Sequence, residues 1–103
     1  MDETSALTAF AALSNESRLR VVKALVEAGP DGLSAGEIAE RLGATPSRAS
    51  FHLSALADAG LVTSTKQSRS VRYAVRFEAM GGLARYLLED CCKGNATARS
   101  CCG

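Results

Sequence analysis

The chain has 103 residues, enough for one domain and too few for two. Hydrophobic residues make up 47% and charged residues 22%, the balance of a folded chain, and no apolar run nears the ~20 residues of a membrane span. The net charge of +1 is unevenly spread: residues 45–76 carry five basic side chains against Asp58 alone, and residues 1–44 carry four against seven acidic ones. The positive field therefore lies on the central third, a local footprint for a polyanion. The acidic opening MDETSALTAF lacks the basic-then-apolar order of a signal peptide, so a cytoplasmic chain without a membrane partner is expected.

Leu7, Phe10 and Leu13 recur at three-residue spacing and predict a short first helix over residues 4–13. Ser14 or Asn15 caps a second helix, Glu16 to Ala28, with Leu19, Val22, Leu25 and Val26 as its buried stripe. Gly29-Pro30-Asp31-Gly32 breaks the chain. Ser34 followed three residues later by Glu37 is a capping box that opens a third helix, with Ile38, Ala39 and Leu42 facing inward and Gly43 closing it.

Thr45 then caps a fourth helix, and Pro46 suits its first position, where a missing N–H costs nothing. Ala49, Leu53, Leu56 and Ala57 form its apolar face, and Gly60 ends it. The opposite face carries Ser47, Arg48, Ser50 and Phe51, with His52 beside them: hydroxyls, a guanidinium and rings able to meet phosphates and base edges. Two short helices joined through Gly43 and Ala44, the second presented outward, predict a helix-turn-helix.

After Gly60 the period changes. Residues 61–65 and 70–75 are β-rich, with the polar tip Lys66-Gln67-Ser68-Arg69 between them. A hairpin directly after a recognition helix is a wing, and Lys66 and Arg69 at its tip are placed to reach a neighbouring phosphate run. A last helix is predicted from Glu78 to about Lys93. Its face of Met80, Leu83, Ala84, Leu87 and Leu88 is wider than a lone edge helix needs. The predicted fold is mainly α with a β-hairpin wing, in the order α-α-α-α-β-β-α. Residues 1–93 form the domain, residues 94–103 form a flexible tail, and a homodimer pairs through the first and last helices.

These motifs resemble the arsenic-repressor (ArsR) type of winged-helix metalloregulators. The resemblance runs through Leu13-Ser14-Asn15-Glu16-Ser17-Arg18-Leu19-Arg20-Val21-Val22, Glu37-Ile38-Ala39-Glu40-Arg41-Leu42-Gly43, Ser50-Phe51-His52-Leu53-Ser54-Ala55-Leu56, Asp58-Ala59-Gly60-Leu61-Val62 and Arg72-Tyr73, about residues 5–90 in all. It implies a dimeric repressor that binds double-stranded operator DNA and lets go when a metal ion or metalloid binds. It also implies that Ser47, Arg48, Ser50, Phe51 and His52 face DNA, with Lys66, Arg69 and Arg72 on the wing. Two effector sites of the family are missing. Ser34 and Gly36 stand where many members place an arsenite-binding cysteine pair, and the last helix has Glu89 and Asp90 but no histidine for zinc.

The effector site is therefore read from the four cysteines, Cys91-Cys92 and Cys101-Cys102, all within the last thirteen residues. Thiolates select soft ions. Trivalent arsenic takes three of them in a pyramid, so arsenite is the expected effector, with antimonite possible and no catalytic cofactor. Cys91, Cys92 and one of Cys101 and Cys102 are the favoured ligands, and Lys93 and Arg99 are expected to help ionise them. The alternatives are a soft divalent ion (cadmium, lead or zinc) and a thiol-oxidation switch. A cytosolic thiol-based metalloid carrier is the alternative of another class. Enzymes are excluded on chemistry: His52 is the sole histidine, and neither a phosphate-cradling glycine loop nor a Cys-x-x-Cys pair is present.

Overall fold

Four helices come first, then a hairpin, then a C-terminal helical segment, in a computed structural model that describes residues 1–101. The elements are α1 (Glu3–Leu13), α2 (Glu16–Ala28), α3 (Ala35–Leu42), α4 (Pro46–Asp58), β1 (Val62–Gln67), β2 (Ser70–Val75) and α5 (Phe77–Arg85). A π-helical turn over Tyr86–Cys91 and a short α6 (Ala96–Cys101) follow.

Short polar side chains set the helix starts. Asp2 accepts from the Ser5 N–H at 2.8 Å, Asn15 from Arg18 at 3.0 Å and Thr45 from Arg48 at 3.2 Å. Each satisfies a donor the helix itself leaves open. Ser34 and Glu37 complete the capping box of α3, with both reciprocal bonds formed. The core between α2, α3, α4 and the hairpin is built on Val21, Leu25, Ile38, Leu53, Leu56 and Leu61, all fully buried. Each such side chain contributes roughly 1.5–3 kcal/mol relative to exposure.

The end of α4 fixes where the wing begins. Gly60 takes a φ of +78°, its N–H bonds the Ala57 carbonyl at 2.9 Å, and the Leu61 N–H reaches back to Leu56 at 3.0 Å. This is a Schellman closure, sealed by the buried pair Leu56 and Leu61. Arg76 reinforces it, donating its backbone N–H to the Leu61 carbonyl and Nη1 to that of Gly60. The strands pair antiparallel in a register from Val62 opposite Val75 to Gln67 opposite Ser70, so the tip is only Ser68-Arg69. Lys66 lies in β1 opposite Val71 rather than in the turn. Leu33, on the approach to α3, exchanges two backbone hydrogen bonds with Tyr73 and adds a one-residue third edge to the hairpin.

Four further expectations change. In α1 the buried residues are Ala6, Ala9 and Ala12, and Leu7 is 61% exposed. The two three-residue series sit one residue apart, about 100° around the helix. The small series faces inward, which lets α1 approach α2 and α4 closely. In α2 the inward set is Val21, Val22, Ala24 and Leu25, with Leu19 and Val26 on the outer face. The C-terminal helix is α-helical only to Arg85 and then widens to i→i+5 bonding, with the Cys92 N–H on the Leu87 carbonyl at 2.9 Å. Of its apolar face only Leu83 is buried. Residues 96–101, read from sequence as part of a flexible tail, form α6, because Asn95 caps it by accepting from Thr97 and Ala98.

Candidate nucleic-acid interface

The outer face of α4 is open. Ser47, Arg48, Ser50 and Phe51 are exposed while Ala49, Leu53 and Leu56, one step round the helix, are buried. The helical period thus separates a core face from a presenting face within thirteen residues.

His52 sits at the edge of that face, half-buried. Its Nδ1 accepts from the Arg18 Nε at 3.3 Å, so the neutral ring carries its proton on Nε2, a donor left for another molecule. Burial lowers its pKa, and the charges of Arg18 and Arg48 lower it further, so the ring is neutral at pH 7. Phe51, 65% exposed, meets His52 edge-on at 5.6 Å. The Arg18 guanidinium lies 5.7 Å from the Phe51 ring centre, within cation–π range. Arg18 therefore belongs to this surface although it comes from α2. Its sequence signal was its place three residues after the Asn15 cap, on the α2 turn nearest α4. Asn15, Ser17, Ser47, Arg48, Phe51 and His52 together line a shallow concavity of about 460 Å³ beside it.

On the wing, Lys66 and Arg69 are exposed. Arg72, expected on the wing beside them, is paired within the chain. Its Nη1 pairs with Glu37 Oε1 at 2.7 Å, Nη2 donates to the Gly32 carbonyl at 2.8 Å and Nε to the Asp31 carbonyl at 3.3 Å. The Ser34 N–H, and then Arg72, hold the Glu37 carboxyl below its ordinary pKa.

At the other end, Cys91, Cys92 and Cys101 are free and exposed, and Cys102 lies outside the described residues. Cys91 and Cys92 adjoin where the π turn ends. Cys101 closes α6 and does not join them in a three-ligand group among the described residues. Arg99 pairs with Glu89, not with a thiol. Desolvation, then the neighbouring Cys91, push the Cys92 thiol above its ordinary pKa. Neither Lys93 nor Arg99 is among the causes of that shift.

Four helices, a tight α3–α4 corner and a hairpin that follows α4 without a linker define a winged helix-turn-helix protein. The family model described as "Helix-turn-helix domain" matches residues 13–65, more than half of the chain. The regulator CmtR of Mycobacterium tuberculosis is 43% identical over 79 residues, covering 76% of this chain and 61% of its own length. A probable mercury resistance operon repressor of Streptomyces lividans is 32% identical over 96 residues, covering 90% of this chain and 71% of that one. Among solved structures, an ArsR-like transcriptional regulator from Rhodococcus sp. RHA1 superposes with a TM-score of 0.76 at 32% identity, over 87% of this chain and 82% of that one. The chain belongs to the ArsR-type family of winged helix-turn-helix regulators. It spans about three fifths of the length of CmtR. No helix among the described residues is long and apolar enough to cross a membrane.

Proposed function

We propose that the chain is a dimeric transcriptional repressor that binds operator DNA through α4 and the wing, and releases it when a thiophilic ion binds the C-terminal cysteines. The observation that carries this reading is the exposed set Ser47, Arg48, Ser50 and Phe51 on an otherwise core-packed helix, within the most basic third of the chain. Serines and Arg48 at the start of α4 suit phosphates. Arg48 and the His52 Nε2–H suit acceptors on base edges, and Phe51 suits a thymine methyl. Lys66 and Arg69 extend the contact to flanking backbone. Two copies pair through α1 and the C-terminal helical segment, where Leu7 and, on the π turn after α5, Leu87 stand exposed. The pairing sets two recognition helices about one helical turn apart, ~34–36 Å. A thiol carrier has no support from a helix-turn-helix family.

For the effector, Cys91 and Cys92 supply two adjacent, accessible thiols. Trivalent arsenic or antimony needs a third, which Cys101 or Cys102 provides once α6 turns back. A soft ion content with two thiolates needs no such movement, and the mercury repressor's name supports that second reading. Either ion must favour one dimer geometry over the other to couple to DNA; typical coupling is about 1–3 kcal/mol.

The test is fluorescence anisotropy of reduced protein on a labelled duplex from upstream of its own gene, titrated separately with arsenite, mercuric ion, cadmium and zinc. Release by arsenite near stoichiometric concentration, lost when Cys91→Ser and Cys92→Ser are combined, supports the metalloid reading. Normal release by that double variant sinks the cysteine site. Release by diamide but by no ion moves the cysteines to oxidation sensing.

A further inference from the structure

An isolated two-stranded hairpin is at best marginally stable, and this one projects from the core with β1 exposed beyond Val62. Something must set its angle. Three contacts do so on its inner side. Leu33 and Tyr73 exchange backbone hydrogen bonds at 2.9 and 2.8 Å. Gly32 lies so close beneath the hairpin that a Cβ there would stand 2.0 Å from the Tyr73 carbonyl oxygen. Arg72 reaches across to the Glu37 carboxylate and to the carbonyls of Asp31 and Gly32. Its planar fork suits this bracket, which a lysine would not fill. Glu37 Oε1 meanwhile accepts the Ser34 N–H at 3.0 Å. One carboxylate oxygen thus both closes the start of α3 and holds the wing.

We propose that Glu37 and Arg72 are a positioning pair that fixes the angle of the wing to the α3–α4 unit, so that Lys66 and Arg69 meet the DNA backbone flanking the groove that α4 enters. The pair acts on affinity through the place of the wing, and Arg72 does not touch DNA. This rests on the DNA-binding reading above. The charge of Arg72 is already met by Glu37, so it releases no counterion on binding. The pair is partly exposed and contributes little to folding itself.

The experiment uses Arg72→Gln, Glu37→Gln and their combination, with Arg69→Gln as the comparator that removes a phosphate contact. Glutamine at residue 37 keeps the capping box, so α3 survives. Residual dipolar couplings on the DNA-free protein read the wing's angle to α4. Anisotropy over a range of salt then reads binding to a labelled upstream duplex, both long and trimmed to the two half-sites. The expected result is a changed wing angle in all three clamp variants and a loss of about 5–10-fold on the long duplex for each. That loss corresponds to about 1–1.4 kcal/mol. The double variant is no worse than either single one, as for residues acting as a unit. The salt slope holds, and no loss appears on the trimmed duplex. Arg69→Gln instead lowers the slope by about 1. The proposal is overturned if Arg72→Gln lowers the slope by about 1 while Glu37→Gln leaves affinity intact, for Arg72 is then a phosphate contact. Unchanged dipolar couplings overturn it too. Wild-type protein with no preference for the upstream duplex over random DNA overturns the DNA-binding reading instead, and the couplings then decide the clamp alone.

Discussion

Between Asn15 and Val75 each of α2, α3 and α4 opens on a side-chain cap, α4 closes on a Schellman turn, and the core is continuous. From Phe77 to Cys101 only Leu83 is buried, and neither α5 nor the π turn after it has a side-chain cap. The first region is stable by its own local chemistry. The second keeps apolar surface in solvent, with Leu87 41% and Phe77 53% exposed. The presenting half of the molecule is thus packed within one chain, while the half with the cysteines leaves apolar surface uncovered. On the proposed reading, an ion that reorders that half acts where the chain resists least.

The sharpest way to break this contrast is to cut equivalent leucines from both halves. Leu56→Ala should destabilise by about 2–5 kcal/mol, since Leu56 is fully buried and closes α4 against Leu61. Leu87→Ala should cost about 0.5 kcal/mol or less in thermal melts of the monomer. On the proposed dimer it should still raise the dissociation constant measured by sedimentation. Equal melting losses would show that the C-terminal half is part of the same core.

Gly32→Ala should come next, at about 1–3 kcal/mol, because the position combines a φ of +68° with the near-contact to Tyr73. Denaturant titration reads it, and a neutral result would mean that the hairpin shifts freely. Thr45→Ala should cost about 1 kcal/mol through the lost cap, with the loss confined to the exchange protection of the first turn of α4.

The smallest effect is from pH. His52 is lowered in the folded state, so between that lowered value and the ordinary histidine value the unfolded chain binds more proton. Stability therefore rises with pH through that window and is lost as pH falls through it. A proton NMR titration of the single histidine should give a value below that of a free histidine. Arg18→Ala should raise it by removing a positive neighbour. A titration at the ordinary value would dissolve the Arg18–His52 contact.

Much of the presenting half was legible in the sequence because its signals are local. Ser34 with Glu37, Thr45 with Pro46, and Gly60 each mark a boundary within a few residues, and the structure puts α3, α4 and the wing where they fall. The misreadings came where the deciding partner is remote or small. Arg72 looked like one more wing cation because Glu37 stands 35 residues away. The face of α1 was assigned to its bulky residues, though alanines pack closest. Asn95 went unread as a cap because the six residues after it, none of them buried, carry no apolar stripe to announce a helix. The cysteines stand out by their chemistry, but no local pattern says how far apart α6 holds them.

Only Ala59, Gly60 and Leu61 separate α4 from β1, and both ends of that step are hydrogen-bonded. On the proposed reading, helix and wing are two grips on one handle, not two hands joined by a string. Once α4 has found its groove, the wing tip is already held at high effective concentration over its own stretch of backbone, with almost no slack to lose. Such a device tolerates little variation in the distance between groove and flank. Its operators should therefore differ in sequence at the flank far more readily than in length.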